Sequence, residues 1–303
     1  MISFIMMAKN VEDYIYQAIK ELQKEGLISW ELIVIDDGSI DNTFKIVEGL
    51  SRNDKRIIIK KNPFVGKVKG TNYGFSLTSG NIVKCIDSDD VLLRDYFNHY
   101  ECFLNHDAHC HSMSIVDHNL KKMAAYRINP KMIKSTYVYA ATNLISIPKS
   151  SWSFKRHIAE KIFPLPEGLP FEDVWISIIV KKYSKSIYNI PGELYLYRQH
   201  PNQTFGGIIN YNSNIVIFRA KRLLKLISVL ENQPVFMDGL NRDALVGIRK
   251  YNEIMSQEKL TFYNVFSSNQ SFLRKLKIIL IKKTPALAKY ITVFKWKIDA
   301  YKN

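Results

Sequence analysis

Four short apolar runs, each followed by a stretch of helical periodicity, fill the first ninety residues, and this alternation restricts the fold more than any other feature. The runs are residues 2–8, 31–35, 56–60 and 81–86. Between them lie residues 11–24, with Ile15, Ala18, Ile19 and Leu22 on one face, then 42–52 and 67–78. Strand–helix–strand repetition at this spacing predicts helices packed on both sides of a mostly parallel sheet. Strands covered on both faces read as continuous apolar runs, as Leu32-Ile33-Val34-Ile35 does. Residues 1–8 lack a basic flank and run straight into Lys9-Asn10, so a first strand is expected there rather than a signal peptide.

After Asp90 the pattern loosens. Helices are expected over 92–104 and from Glu172 to about Tyr183, a strand over 187–197, and a Pro/Gly-rich loop over 164–170. Beyond residue 207 the chain turns to long helical patterns, 211–231 and 236–257, which places a domain boundary between 1–207 and a helical extension, 208–303. The net charge is +15, and residues 271–303 hold nine Lys and Arg against the single acid Asp299. Such an excess suits nucleic acid, an anionic membrane surface or a polyanionic substrate. In the tail the lysines are interleaved with Leu273, Leu276, Ile279, Leu280, Tyr290, Phe294 and Trp296, a mixture suited to lying on anionic lipid. No nucleic-acid-binding module is present, so no nucleic acid partner is expected. No run of about 18 apolar residues predicts a spanning helix. Three cysteines, Cys85, Cys102 and Cys110, make no paired framework and favour a reducing, cytoplasmic compartment.

The chemistry concentrates where apolar runs stop. The second ends in Asp36-Asp37-Gly38-Ser39, before Asp41-Asn42-Thr43. A carboxylate there is placed to accept hydrogen bonds from a base or ribose, although an Asp/Gly turn followed by a helix cap needs no ligand. The fourth ends in Asp87-Ser88-Asp89-Asp90. Three carboxylates in four residues suit a hard cation, Mg²⁺ or Mn²⁺, that takes one or two carboxylates and completes its shell with substrate phosphate oxygens. Glu172-Asp173 opens a helix, where acids are favoured by the dipole in any case. His99, Cys102, His106, His109, Cys110 and His111 crowd thirteen residues, but alternation along a strand separates Cys110 from His109 and His111, so a zinc site is not expected.

In order and spacing these motifs resemble the family 2 glycosyltransferases of GT-A fold over about residues 1–205. The resemblance rests on Asn10-Val11-Glu12-Asp13-Tyr14-Ile15, Asp36-Asp37-Gly38-Ser39, Asn62, Gly66, Asn72, Gly74 and Gly80, with Asp87-Ser88-Asp89-Asp90 similar to the family's DxD motif and Glu172-Asp173 to its ED motif. It implies a Rossmann-like α/β domain with nucleotide-sugar binding in residues 1–100 and the acceptor side in 101–207. It further implies that Ala8, Lys9 and Asn10 line the nucleotide pocket and that Asp37 accepts the uracil imide hydrogen. Asp87 and Asp89 would contact the donor, Asp90 would hold Mn²⁺ or Mg²⁺, and Asp173 would be the general base of an inverting transfer. Arg198 and His200 would close on the diphosphate, with His200 joining the metal. Trp152 and Glu172 would lie on the acceptor side. The chain departs from the family at Met7, usually Pro, at Lys9, usually aromatic, and at Thr71, usually Arg. Lys67 or Lys69 is then the candidate for the missing charge.

The expected protein is therefore an inverting glycosyltransferase at the inner face of a membrane, acting on a saccharide, often lipid-linked, in cell-surface polysaccharide synthesis. The rivals are a catalytically silent nucleotide-sugar binder or membrane assembly subunit, and a sugar nucleotidyltransferase. The last would want a Gly-rich phosphate loop after the first strand, which Ala8-Lys9-Asn10-Val11 does not offer.

Overall fold

The computed structural model describes residues 1–200, 213–240, 242–257, 272–284, 286–288 and 290–291. Its centre is a sheet whose strands are β1 Ile2–Ala8, β2 Trp30–Asp36, β3 Ile57–Lys61, β4 Ile82–Asp87, β5 Val91–Leu92, β6 Ala108–Val116, β7 Lys122–Tyr126, β8 Trp152–Lys155 and β9 Ile187–Arg198. They run in the order β3-β2-β1-β4-β8-β6-β9-β5, with β7 beside β6. The expected parallel arrangement holds for β1 to β4. Beyond β4 the sheet is mixed, because β8 joins β4 antiparallel and β6 joins β8 antiparallel.

The crossover helices α1 Glu12–Gln23, α2 Thr43–Asn53 and α3 Lys67–Ser76 fall within a residue or two of expectation. Ile15, Ala18, Ile19 and Leu22 of α1 are all buried. One face of the sheet packs Phe4, Met6, Leu32 and Val34 against α1 and α2, and the other packs Ile5, Val83 and Cys85 against later helices. The expected helix over 92–104 is divided. Val91 and Leu92 instead pair with Leu196 and Tyr195 as β5, a 3-10 turn follows, and α4 occupies only Tyr100–Asn105.

Short helices α5 Pro130–Lys134 and α6 Tyr137–Asn143 precede β8, then α7 Arg156–Ile162 and α8 Glu172–Tyr183 follow it. Residues beyond the expected boundary do not stand apart from this core. Leu226, Ile227 and Leu230 of α9, Ser213–Glu231, are fully buried with Trp175 and Ile178 of α8. The long helix expected over 236–257 is broken into α10 Pro234–Met237, a 3-10 turn and α11 Val246–Ser256. Gly239 at φ +80° reverses the chain there, a conformation that suits glycine. The helix Phe272–Lys283 lays Ile278 and Ile281 against Ala220, Ile254 and Met255. Much of the basic tail lies outside the described residues. Among the described residues no helix is long and apolar enough to cross a membrane.

Helix α3 sits unusually close to the sheet. A Cβ on Gly74 would lie 2.9 Å from Ile5 Cγ2 and 3.2 Å from Ile35 Cγ1. Gly74→Val should therefore destabilise the fold by about 1–3 kcal/mol through overpacking, seen as a lower denaturation midpoint in urea.

Candidate active site

The carboxyl ends of β1, β2 and β4 lie side by side, since Ala8 pairs with Asp36 and Met7 with Asp87. The first two turns are stitched together. Asn10 N–H donates to Ser39 Oγ (3.1 Å), Val11 N–H to Thr43 Oγ1 (2.8 Å), and Ile40 N–H to Asn10 Oδ1 (2.9 Å). Asn10 adopts φ +51°, which asparagine tolerates better than most residues. Asp41 serves α2 locally, accepting from Thr43 N–H and Glu12 N–H. Asp37, one residue beyond β2, is half-buried and accepts from Asn62 Nδ2 at 2.6 Å, so Asn62 fixes its carboxylate at the rim. Ala8 is buried beneath this rim, while Lys9 and Asn10 are exposed.

Alternation along β4 sends Lys84 and Ile86 to one face of the sheet and Cys85 and Asp87 to the other. Asp87 thus reaches Lys149 Nζ at 2.9 Å and Lys67 Nζ at 3.9 Å. Burial pushes its carboxyl upward, but those two ammonium groups outweigh burial and hold it below the usual range. Of the two lysines expected to replace the family's arginine, Lys67 therefore approaches the cluster, while Lys69 turns to Glu167 at 2.8 Å. Asp89 accepts from His200 Nε2 at 3.0 Å.

Asp90 is only 2% exposed. Its Oδ1 accepts from Arg198 N–H at 2.8 Å, and its Oδ2 has no hydrogen-bond partner. Burial and the neighbouring charges of Asp89 and Asp87 push its carboxyl well above the usual range. A buried carboxylate oxygen with no donor is what a hard cation would satisfy. Among the described residues no three acidic, His or Cys side chains converge on one point. Asp90, with Asp89 beside it, thus fits an ion that takes one or two protein oxygens and its remaining ligands from phosphate and water, as Mg²⁺ and Mn²⁺ do.

The opposite wall is the start of α8. Asp173 accepts from the backbone N–H of Lys149 at 2.9 Å, and Glu172 Oε2 lies 3.5 Å from Lys149 Nζ. Burial raises the Asp173 carboxyl to about 6, against the lowering effect of the Lys149 N–H and ammonium. Asn72 of α3 braces the approach to α8, donating to Leu165 O and accepting from Leu165 N–H (3.0 and 2.7 Å).

Three further residues expected at the site are buried. Trp152 is fully buried, with Nε1 donating to Ser177 Oγ, so it packs in the core and is not placed to stack on an acceptor sugar. Arg198 is 3% exposed and spends its guanidinium on Asp89 O, His118 O and Gln17 Oε1, over the Tyr14 ring. It is a brace between β9, α1 and the Asp89 turn, not a group facing the cleft. His200 lies against Asp89 and the Tyr14 ring. Residues 201–212, which follow it, lie outside the described residues. Of the crowded His and Cys residues, His109 bonds Cys102 O and His111 bonds Lys84. Sequence reasoning missed Lys149. Its one signal was a lone lysine in Pro148-Lys149-Ser150-Ser151, immediately before the Trp152 segment.

A mostly parallel sheet edge with an acidic cluster on one wall and the buried carboxyl of Asp173 on the other is an arrangement of the GT-A class. The Glycosyl transferase family 2 description matches residues 3–163. The chain therefore belongs to glycosyl transferase family 2 and is a glycosyltransferase. A glycosyltransferase of Haemophilus influenzae of uncharacterised specificity is 25% identical over 308 residues, 96% of this chain and 87% of that protein. The UDP-Glc:alpha-D-GlcNAc-diphosphoundecaprenol beta-1,3-glucosyltransferase WfgD of Escherichia coli is 36% identical over 93 residues, 30% of this chain and 36% of that protein. The fold is similar to that of S. aureus TarS 1–349 in complex with UDP-GlcNAc, with TM-score 0.59 and 17% identity over 92% of this chain and 79% of that one.

The uncompensated oxygen of Asp90 predicts a trade between stability and binding. Asp90→Asn should raise the metal-free melting stability by about 1 kcal/mol and abolish any rise on adding Mn²⁺, both read by calorimetry with and without chelator.

Proposed function

We propose that this glycosyltransferase moves one sugar, with inversion, from a UDP-linked donor to a hydroxyl of a saccharide acceptor in cell-surface polysaccharide synthesis. The observation that carries the reading is the meeting of differently tuned carboxyls in one cleft: Asp87 and Asp90, on β4 and the turn after it, and Asp173 on α8. Divergent carboxyl environments of this kind separate the jobs of binding and proton transfer. The similarity to WfgD, whose name specifies UDP-Glc and a lipid-linked acceptor, supports the donor and acceptor classes over about a third of the chain.

In this mechanism Asp37, steadied by Asn62, accepts the uracil imide hydrogen, and the Ala8-Lys9-Asn10 turn borders the base. Asp89 faces ribose and donor sugar, with His200 behind it. A Mg²⁺ or Mn²⁺ ion on Asp90 would offset the charge of the departing diphosphate. Lys67, half-exposed beside Asp87, adds a cation on the same side. Asp173 takes the proton of the acceptor hydroxyl as its oxygen bonds to the anomeric carbon. The bond from that carbon to the diphosphate oxygen breaks on the opposite face, which inverts the centre. Glu172 lines the acceptor side through its pairing with Lys149.

A base near pKa 6 makes turnover rise with pH through about 6 and level off above it, because only the ionised carboxylate accepts the proton. Asp173→Asn should keep donor binding and lose transfer by about 100-fold or more. A panel of nucleoside diphosphate sugars with Mn²⁺, read by thermal shift and slow hydrolysis, tests the whole. Binding of none would end the reading, and full transfer by Asp173→Asn would remove that residue as base.

The peripheral membrane location is part of the proposal. Leu276, Tyr290 and Ile291 are exposed, while Ile278 and Ile281 pack on Ala220, Ile254 and Met255, so the helix Phe272–Lys283 buries one face and leaves Leu276 exposed on another. Liposome flotation should require acidic lipid, and undiminished binding after deleting residues 271–303 would exclude the tail as anchor.

A further inference from the structure

We propose that Lys149 is the positioning residue that holds the donor-binding carboxylates and the general base at their working separation. The assignment deepens the transferase reading and rests on it. Lys149 touches both walls with different atoms. Its ammonium, on a side chain 8% exposed, reaches Asp87 Oδ1 at 2.9 Å and Glu172 Oε2 at 3.5 Å. Its backbone N–H donates to Asp173 Oδ1 at 2.9 Å. The 3-10 turn that carries it, Lys149–Ser151, lies between Pro148 and β8.

A second buried lysine prevents that turn from sliding. Lys84, fully buried on β4, donates to Ser150 O, to Trp152 O at 3.4 Å and to His111 Nε2 at 2.9 Å. Its three donors thus meet three acceptors, with His111 Nδ1–H turned to Ser112 O. The two lysines act reciprocally. Lys84 reaches from β4 to the carbonyls of the turn, and Lys149 reaches from the turn to the β4 carboxylate Asp87. The gap between Asp87 and Asp173 is therefore spanned by a single residue whose backbone is clamped on its C-terminal side. Reacting groups tolerate little error in such a gap, since a displacement of about 1 Å costs on the order of 100-fold in rate.

The test is donor hydrolysis by the full chain with Mn²⁺, with water as acceptor. Lys149→Met should leave the donor KM within about threefold and lower kcat by about 10- to 100-fold. Loss of the cation should also move the acid limb of kcat upward by about one pH unit. The groups facing Asp173 in that titration are Lys149, Glu172 on its own helix and Asp87 on β4, with Tyr126 of β7 and Tyr197 of β9 also near. Lys149→Arg keeps the charge, and so guards against a variant that does not fold. It should hold the acid limb in place and still lower kcat several-fold, because the larger head cannot keep the lysine's span. Wild-type kcat in a folded Lys149→Met or in Lys149→Arg overturns the assignment, as does an equal loss in kcat/KM carried by KM alone. Wild-type protein that hydrolyses no nucleoside diphosphate sugar overturns the transferase reading and this assignment together.

Discussion

Five carboxylates share one cleft, and the way cations are distributed among them decides how the surrounding structure is built. Removing ions from water costs several kcal/mol each unless a partner lies close. Asp87 receives Lys149 and Lys67, Glu172 shares Lys149, and Asp89 receives His200. Asp90 and Asp173 receive backbone N–H groups. The consequence is a graded set: Asp87 held low, Asp90 pushed high, Asp173 raised to about 6. Burial raises all three, and the cations beside Asp87 reverse that rise while the anions beside Asp90 add to it.

That distribution also accounts for the change in the sheet after β4. A parallel sheet places its carboxyl ends together but offers no opposing wall. The antiparallel β8 brings the turn before it, Lys149–Ser151, alongside β4, and the same chain direction leads through α7 to α8. Ser177 on α8 ties back to this region three times, accepting from Ile147 N–H and Trp152 Nε1 and donating to Ile147 O. Trp152 thus contributes to the site by locking α8 against β8 from within the core.

The elements legible in the sequence were those whose pattern is local. β1 to β4 ended at polar residues and α1 to α3 showed one apolar face, so their bounds were readable to within a residue or two. Helix α8 was marked by Pro170 before it and acids at its start. The acidic clusters were legible because carboxylates crowded against the end of an apolar strand repel one another and are costly unless a cation or water meets them. Lys149 was not, because its meaning lies in partners 62 and 23 positions away, Asp87 and Glu172, and a lysine between Pro and Ser looks like solvent-facing loop. Arg198 misled for the converse reason: a cation near a cleft in sequence was already committed to three internal acceptors. The helix expected over 236–257 failed at Gly239, where a left-handed turn overrode a continuous apolar period.

The positive charge beside Asp87 comes from Lys67 and Lys149 rather than from position 71. Thr71, where the family usually carries arginine, is 2% exposed, and its hydroxyl donates to Lys67 O within α3. Gly70 and Gly74 on the same helix allow it to approach β1 so closely that a Cβ at Gly70 would lie 2.5 Å from Met7 Cε. Lys67, at the first residue of α3 and half-exposed, is one turn earlier and within 3.9 Å of Asp87. Lys149 supplies the remaining charge from the opposite wall. Close packing of α3 at Gly70 and Gly74 thus coexists with a cation on its first turn, where a long exposed side chain has the freedom to reach Asp87.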